Sequence, residues 1–250
     1  MTSAETVWRS SMQTDSPLVL VTGGAKRVGA EIVRTLARNG ARVIIHYGTS
    51  RTEAEQLLSE IGGSAKGHAC VQYDLAKPEG IPAFVKSLPQ DLSAVVNNAS
   101  VFLRVTAEKE TPELAKRQYD VNFYSPFALL KAFYEHSVLP EISVVNMLDQ
   151  AITSTPAESC SYILSKKMLA EATKLAARQF APRMRVNGIC PGPVFPPVGL
   201  EHLKMAKTLS TLPLARPVDA SDLAEAVRML LFNRSMTGSI LNVDCGQSLL

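Results

Sequence analysis

The sequence predicts an α/β fold, a doubly wound parallel sheet of about seven strands with helices on both faces. Three observations carry this. Short continuous apolar runs alternate with amphipathic segments from Pro17 to the C-terminus. The runs lack the apolar–polar alternation of a half-exposed sheet, so each reads as a strand buried on both faces. No long polar linker, internal repeat or low-complexity stretch interrupts the series, which makes residues 17–250 one domain.

The elements follow in order. "LVLVT" (18–22) is the first strand. "AEIVRTLARNG" (30–40) places Ile32, Val33, Leu36 and Ala37 on one helical face, with Gly40 where a helix C-cap is expected. "ARVIIHY" (41–47) and "GHACVQYD" (67–74) are strands, with a helix over "RTEAEQLLSEIGG" (51–63) between them and another over "IPAFVKSL" (81–88) after them. "SAVVNNAS" (93–100) is a fourth strand. Residues 111–136 form a long helical stretch with a kink expected at Pro126. Strands over 142–148 and 184–192 enclose a helix over 161–181, and a helix over 219–232 precedes the last strand, 239–244. The intervening "PVFPPVGLEHLKMAKTLSTLPLARP" (193–217) reads as a loop.

Composition narrows the function classes. The 250 residues are 46% apolar, enough for one large core, and the net charge of +3 is mild. No Lys/Arg block offers a nucleic-acid surface. Cys70, Cys160, Cys190 and Cys245 are scattered without a C-x-x-C pair, and the four histidines are equally dispersed, so no metal site is expected. The thiols read as reduced, in a cytoplasmic protein. No apolar run is long enough to span a membrane, and residues 1–16 lack the hydrophobic segment of a secretory signal; they read as a mobile tail.

"TGGAKRVG" (22–29) lies between the first strand and the first helix. A short turn ending at a helix N-terminus presents free N–H groups and a positive dipole end, which suit a pyrophosphate. Gly23 and Gly29 remove side chains where backbone must approach phosphate, and Lys26, Arg27 and Val28 complete the turn. A dinucleotide site is therefore expected. A site selective for the non-phosphorylated cofactor carries an acid at the end of the second strand. Here "HYGTSRTEAE" has none before Glu53 and offers His46, Tyr47, Thr49, Ser50 and Arg51 instead. Hydroxyls and cations suit a 2′-phosphate, so NADPH is expected over NADH.

Tyr162 and Lys166 are one helical turn apart in "SYILSKK". A tyrosine is a poor acid or base near neutral pH, and an ammonium on the same helix face favours the phenolate. Asp149 stands thirteen residues before the tyrosine, at the end of the buried run "SVVNML".

"TGGAKRVG", "YDLA" (73–76), "NNAS" (97–100), Asn122, "YILSK" and "CPGPV" (190–194) occur in that order, and over residues 18–248 the chain resembles a short-chain dehydrogenase/reductase with a Rossmann-like fold. The resemblance implies that Tyr162 transfers the proton, that Lys166 lowers its pKa and holds the nicotinamide ribose, and that Asn122 supports a proton-relay water. It also implies cofactor contacts at Asp74, Leu75, Asn98, Ala99, Ser100, Pro191 and Gly192, and a homotetramer built on the helices over 111–136 and 161–181. Phe127, Leu129, Leu130 and Phe133 are the apolar residues expected at that interface.

Two departures sharpen the resemblance. Asp149 replaces the usual serine and Arg27 a usual glycine; both are features of the pteridine reductase branch, as are "NNAS" with Phe102 close behind and "VD-x-G-x-SL" at the end. Thr49 stands where that branch usually has arginine. The implied reaction is NADPH-dependent reduction of a dihydropterin or dihydrofolate. A ketone needs only hydrogen-bond donors at its oxyanion, whereas a pterin ring nitrogen must gain a proton and its N–H groups need acceptors. Asp149 suits both demands. Arg27 would reach the pterin carbonyl or cofactor phosphates, Phe102 would stack on the ring, and Ser100 and Pro193 would complete the substrate site. Against this stand two other readings: Asp149 as a loop-capping acid and Phe102 as a core aromatic. A 3-oxoacyl-carrier-protein reductase, which would carry serine at 149 and NAG at 98–100, is the alternative function. A non-catalytic NADPH sensor is a third possibility.

Overall fold

The computed structural model describes residues 16–154, 159–196 and 203–250. Residues 1–15 of the expected tail, and 197–202 of the expected loop, lie outside these. Ser16 does not belong to a free tail: its hydroxyl donates to the Gly40 carbonyl at 2.5 Å and its own carbonyl accepts from Arg42 Nε.

Seven strands form one parallel sheet: β1 (Leu18–Val21), β2 (Arg42–Tyr47), β3 (Ala69–Gln72), β4 (Leu92–Asn97), β5 (Ile142–Met147), β6 (Met184–Pro191) and β7 (Ile240–Val243). Their order is β3-β2-β1-β4-β5-β6-β7. The helices are α1 (Arg27–Arg38), α2 (Arg51–Glu60), α3 (Ile81–Lys86), α4 (Pro112–Tyr119), α5 (Ser125–His136), α6 (Cys160–Gln179), α7 (Leu203–Thr211) and α8 (Ala220–Phe232).

Alternation of side chains across each strand divides the core. Val19, Val21, Val43 and Ile45 point to one face, where Ile32, Val33 and Leu36 of α1, Leu57 of α2 and Leu223 and Val227 of α8 cover them. Leu18, Leu20, Val95 and Val144 point to the other, under Ile81 and Phe84 of α3, Leu129 and Phe133 of α5 and Ala176 of α6. Strand order reverses between β1 and β4, which are themselves parallel, and a crevice opens outside their C-terminal ends. The turns that leave β1, β4, β5 and β6 all end there.

Three differences from expectation matter. The helical stretch over 111–136 is not merely kinked: a π-helical turn over Asp120–Tyr124 separates α4 from α5. Pro126 has no N–H to give the Asn122 carbonyl four residues back, and the wider turn absorbs the lost bond. Part of the expected loop 193–217 is helical, as α7. Finally, Leu129, Leu130 and Phe133, expected at a subunit interface, are buried in the chain's own core. Of the four residues named for that interface only Phe127 is exposed, and Tyr124, Leu164 and Leu175 join it on the surface of the same helical segments. Among the described residues no helix is long and apolar enough to cross a membrane.

Candidate active site

Asp149 follows β5 after a single residue, Leu148. One carboxylate oxygen accepts from the Ala151 N–H at 2.8 Å and so caps a 3₁₀ turn over Gln150–Thr153. The other accepts from the Tyr162 hydroxyl at 2.7 Å. The loop-capping and catalytic readings of this acid are therefore both realised, one oxygen each. Lys166, one turn along α6, is only 2% exposed, and its ammonium donates to the Met147 carbonyl at 2.8 Å. Burial pulls that ammonium down to about 8, while the negative charge of Asp149 pushes the other way.

Tyr162 departs from expectation. Burial is the main cause of a phenol pKa raised well above the usual 10, and Asp149 raises it further through its charge and its hydrogen bond. The lysine was expected to lower it. Asp149 lies in contact with the hydroxyl, whereas the Lys166 nitrogen is 5.9 Å from the ring centroid. The nearer charge wins, and the phenol holds its proton.

The first turn is shaped by close backbone approach. A Cβ at Gly29 would stand 2.2 Å from the Gly23 carbonyl oxygen, and Gly23 itself has φ +59°. Arg27 also adopts a left-handed φ of 53°, the conformation that a glycine takes without strain. Helix α1 has no capping side chain at Lys26 and no acid in its first turn, so the first N–H groups lack partners within the helix. Thr22 ties this turn to the β4 exit. Its hydroxyl oxygen accepts from the N–H groups of Asn98 (2.9 Å) and Ala99 (3.0 Å), and the Asn98 amide donates to the carbonyls of Thr22 and Gly23.

A cleft of about 860 Å³ runs across these parts. Arg27, Val28, Asn98, Ser100, Phe102, Asp149, Tyr162, Lys166 and Pro191–Pro193 all line it, so the structure brings together most of the residues expected at the reaction centre. Phe102 is 50% exposed, which removes the core-aromatic reading; its ring meets Tyr162 edge-on at 4.6 Å. The Arg27 guanidinium lies over the Phe195 ring at 5.1 Å and donates to the Pro196 carbonyl.

Residues 23–248 match the family model for enoyl-(acyl carrier protein) reductase. The chain is a short-chain dehydrogenase/reductase. In fold it is similar to alternative dihydrofolate reductase 1 (FolM) of Brucella canis, solved in complex with NADP. That match has a TM-score of 0.85 and 33% identity, and covers 96% of this chain and 97% of the other. In sequence this reductase is 29% identical to pteridine reductase 1 of Leishmania tarentolae, over 94% of this chain and 97% of that one. It is 25% identical to a 3-oxoacyl-[acyl-carrier-protein] reductase of Synechocystis, over 92% and 96%.

Several residues expected to touch cofactor serve the reductase in other ways. His46 is buried: its Nδ1 accepts from the Gly23 N–H and its Nε2 donates to the Tyr73 carbonyl, both at 3.1 Å, so it pins the phosphate turn to β3 and has no group left for a ligand. Leu75 is a core residue whose carbonyl takes the Ser125 hydroxyl. Asn122 is also buried. Its amide oxygen accepts from Val101 N and Ser100 Oγ and its amide nitrogen donates to Val101 O and Ser165 Oγ, leaving only its main chain for a relay water. Around the end of β2, outside the cleft, Lys26 pairs with Glu53 at 2.5 Å and Arg51 with Glu55 at 2.7 Å; both pairs are solvent-exposed. Glu53 thus approaches this end of the site despite its distance along the chain. Tyr47 packs against the first core, Ser50 opens α2, and Asp74 caps the Ala76 N–H.

Sequence reasoning missed Thr22, although a buried hydroxyl ending an apolar strand is a usable signal. It also missed Phe195, Thr208, Thr211 and Gln247 on the cleft's outer wall. Gln247 arrives through "VDCGQSLL": Asp244 caps the N–H groups of Gly246 and Ser248, and Gly192 packs so close that a Cβ there would lie 2.7 Å from the Asp244 backbone.

The His46 pin makes a pH prediction. Burial lowers this imidazole from 6.5 to about 4, so on acidification the unfolded chain takes up the proton first. The stability His46 contributes is complete above pH 6.5 and is lost as pH falls through 4. Between pH 7 and pH 5 the loss amounts to about 2 kcal/mol. Urea unfolding at the two pH values should show this increment in the parent and its absence in His46→Gln.

Proposed function

We propose that this reductase uses NADPH to reduce a dihydropteridine, a dihydropterin or dihydrofolate, to the tetrahydro form. The observation that carries the reading is the Asp149–Tyr162 hydrogen bond inside the cleft, with an open aromatic, Phe102, against the same tyrosine. The likeness to proteins named pteridine reductase and alternative dihydrofolate reductase supports it.

The residues present fit the cofactor. The uncapped, acid-free N-terminus of α1 and the side-chain-free positions Gly23 and Gly29 form a cradle that any Cβ at Gly29 would fill. Arg27, Val28 and Gly29 would hold the pyrophosphate through their N–H groups. Ser50, Arg51 and Lys26 would hold the 2′-phosphate, and their exposed pairing with carboxylates is weak enough to be exchanged for it. Lys166, with one N–H spent on Met147, has two left for the nicotinamide ribose. NADPH bound there supplies the hydride.

The protein supplies the proton and the position. Tyr162 keeps its proton until a pterin ring nitrogen becomes basic enough to take it; the phenolate, held against Asp149 at 2.7 Å, then takes a proton from water entering the cleft. Phe102 offers a ring face to a planar substrate. The Arg27 guanidinium, already at the cleft wall, reaches an acceptor on the substrate or on the cofactor. Ser100 and Pro193 close the substrate side.

We further propose a homotetramer in which the exposed Tyr124, Phe127, Leu164 and Leu175 are covered.

Asp149→Ser is expected to lower kcat/KM for a dihydropterin by roughly 10²-fold, the low end for a positioned acid–base group, with NADPH affinity unchanged. Tyr162→Phe should be worse, because it removes the donor itself. Parallel assays with a dihydropterin and with an acetoacetyl thioester decide the substrate class. Equal turnover of dihydropterin by the parent and Asp149→Ser would move the carbonyl reductase reading to first place.

Cofactor titration should show NADPH binding at least tenfold tighter than NADH, about 1.4 kcal/mol, and Arg51→Ala should narrow the gap. Equal affinities would sink the assignment. Light scattering of the full chain should give four times the mass of one chain; a monomer mass would remove the tetramer.

A further inference from the structure

Phe102 and Tyr162 belong to different parts of the chain, a loop after β4 and the first turn of α6. Their rings nevertheless meet at 4.6 Å with planes inclined by 62°. A contact between two such rings is only as well defined as the braces behind them. The backbone groups of Val101 and Leu103, on either side of Phe102, are bonded by side chains. Two carboxamides take those groups, and both come from the helical segment over 112–124. Asn122 bonds Val101 through both its amide atoms and reaches Ser165 on α6. Gln118, one turn earlier, repeats the pattern. Its Oε1 accepts from the Leu103 N–H at 2.9 Å and its Nε2 donates to the Ser161 hydroxyl at 2.5 Å.

The bonded positions are significant. Val101 and Leu103 flank Phe102, and Ser161 immediately precedes Tyr162. Gln118 is fully buried and does not line the cleft, so no role in touching ligand explains it. Its far end is doubly held, because the Ser161 hydroxyl donates to the Glu110 carboxylate, which also lies 3.4 Å from the Gln118 amide nitrogen. A neutral carboxamide suits this place for a simple reason. It must accept from a backbone N–H and donate to a hydroxyl at once, which neither a carboxylate nor an ammonium does.

We propose that Gln118 is a positioning residue for the reaction: it fixes where the Phe102 ring stands against Tyr162, and so the face that Phe102 offers to the flat substrate ring. This rests on the pteridine reading above. Asn122 and Gln118 act as two rungs between the loop and α6, the first beside Ser100 and the second beside Leu103. Cutting the second rung loosens Phe102 but leaves the Asp149–Tyr162–Lys166 contacts intact, since none of them passes through Gln118.

Steady-state kinetics with a dihydropterin at saturating NADPH tests this. Gln118→Met, which keeps the length of the side chain and removes both bonds, should raise KM for the pterin about tenfold. Its kcat should fall less than threefold and its NADPH Kd should stay within twofold. Ser161→Ala cuts the same rung from the other end and tolerates folding better; it should show the same split. The double variant should be no worse than the poorer single one, because both break one connection. A purely structural role predicts a lower Tm with KM unchanged, and that result would overturn the proposal, as would additive effects in the double variant. A parent that fails to oxidise NADPH with any dihydropterin overturns the pteridine reading and this proposal together. A parent that does so while Gln118→Met matches its KM overturns this proposal alone.

Discussion

One charge inside the core governs this site. Lys166 sits on a buried face of α6 at the C-terminal edge of the sheet, almost without solvent, and a bare ammonium there would cost several kcal/mol. Two groups make it tolerable: the Met147 carbonyl, which accepts one N–H, and the carboxylate of Asp149, whose field favours the protonated form. Both come from the same few residues at the end of β5. The acid at 149 therefore has several structural tasks beside the one proposed for it in catalysis. Its charge favours the protonated lysine, and it caps the turn that carries the chain away from the sheet and accepts from Tyr162.

The sheet explains why these atoms meet. β4, β5 and β6 are in parallel register, with Asn97 beside Asn146 and Met147 beside Ile189, so their exits lie side by side. A buried polar row then ties α6 to that register. The Asn97 Nδ2 donates to the Asn146 side-chain Oδ1 at 2.8 Å, and the Asn146 Nδ2 donates to the Thr173 hydroxyl of α6 at 2.9 Å. Sliding α6 by one residue would break this row, and the rotation would carry Tyr162 away from Asp149. A hydrogen-bonded pair in the core is thus what sets a distance at the surface.

Much of this was legible in the sequence, for definite reasons. Strands buried on both faces read as unbroken apolar runs, and the Tyr162–Lys166 spacing needs only a helix to become a geometry. Asp149 was legible because it follows such a run. What could not be read is equally specific. "SPFALLKAFYEH" is apolar on more than one side, so its periodicity could not tell Leu129, Leu130 and Phe133, which face the core, from Phe127, which does not. His46 and Asn98 carry the right donors in the right places for ligand contacts, and only three-dimensional proximity reveals that the protein's own backbone uses them. The expectation that Lys166 lowers the Tyr162 pKa failed because sequence spacing gives neighbours along a helix and not across a cleft, where Asp149 is nearer.

That last reversal bears on the chemistry. With a serine at 149, the nearest full charge to the phenol would be the ammonium, which favours phenolate and serves a proton moving in either direction. With a carboxylate in hydrogen-bond contact, the phenolate is opposed by both burial and charge. Such a tyrosine is a poor base. It gives its proton only to an acceptor that has become strongly basic, and it regains one readily. A ring nitrogen left with an electron pair once its neighbouring carbon is reduced is an acceptor of that kind, and it is flanked by N–H groups that a carboxylate can hold. For the proposed reduction, such a tyrosine keeps its proton in place until the substrate nitrogen can take it.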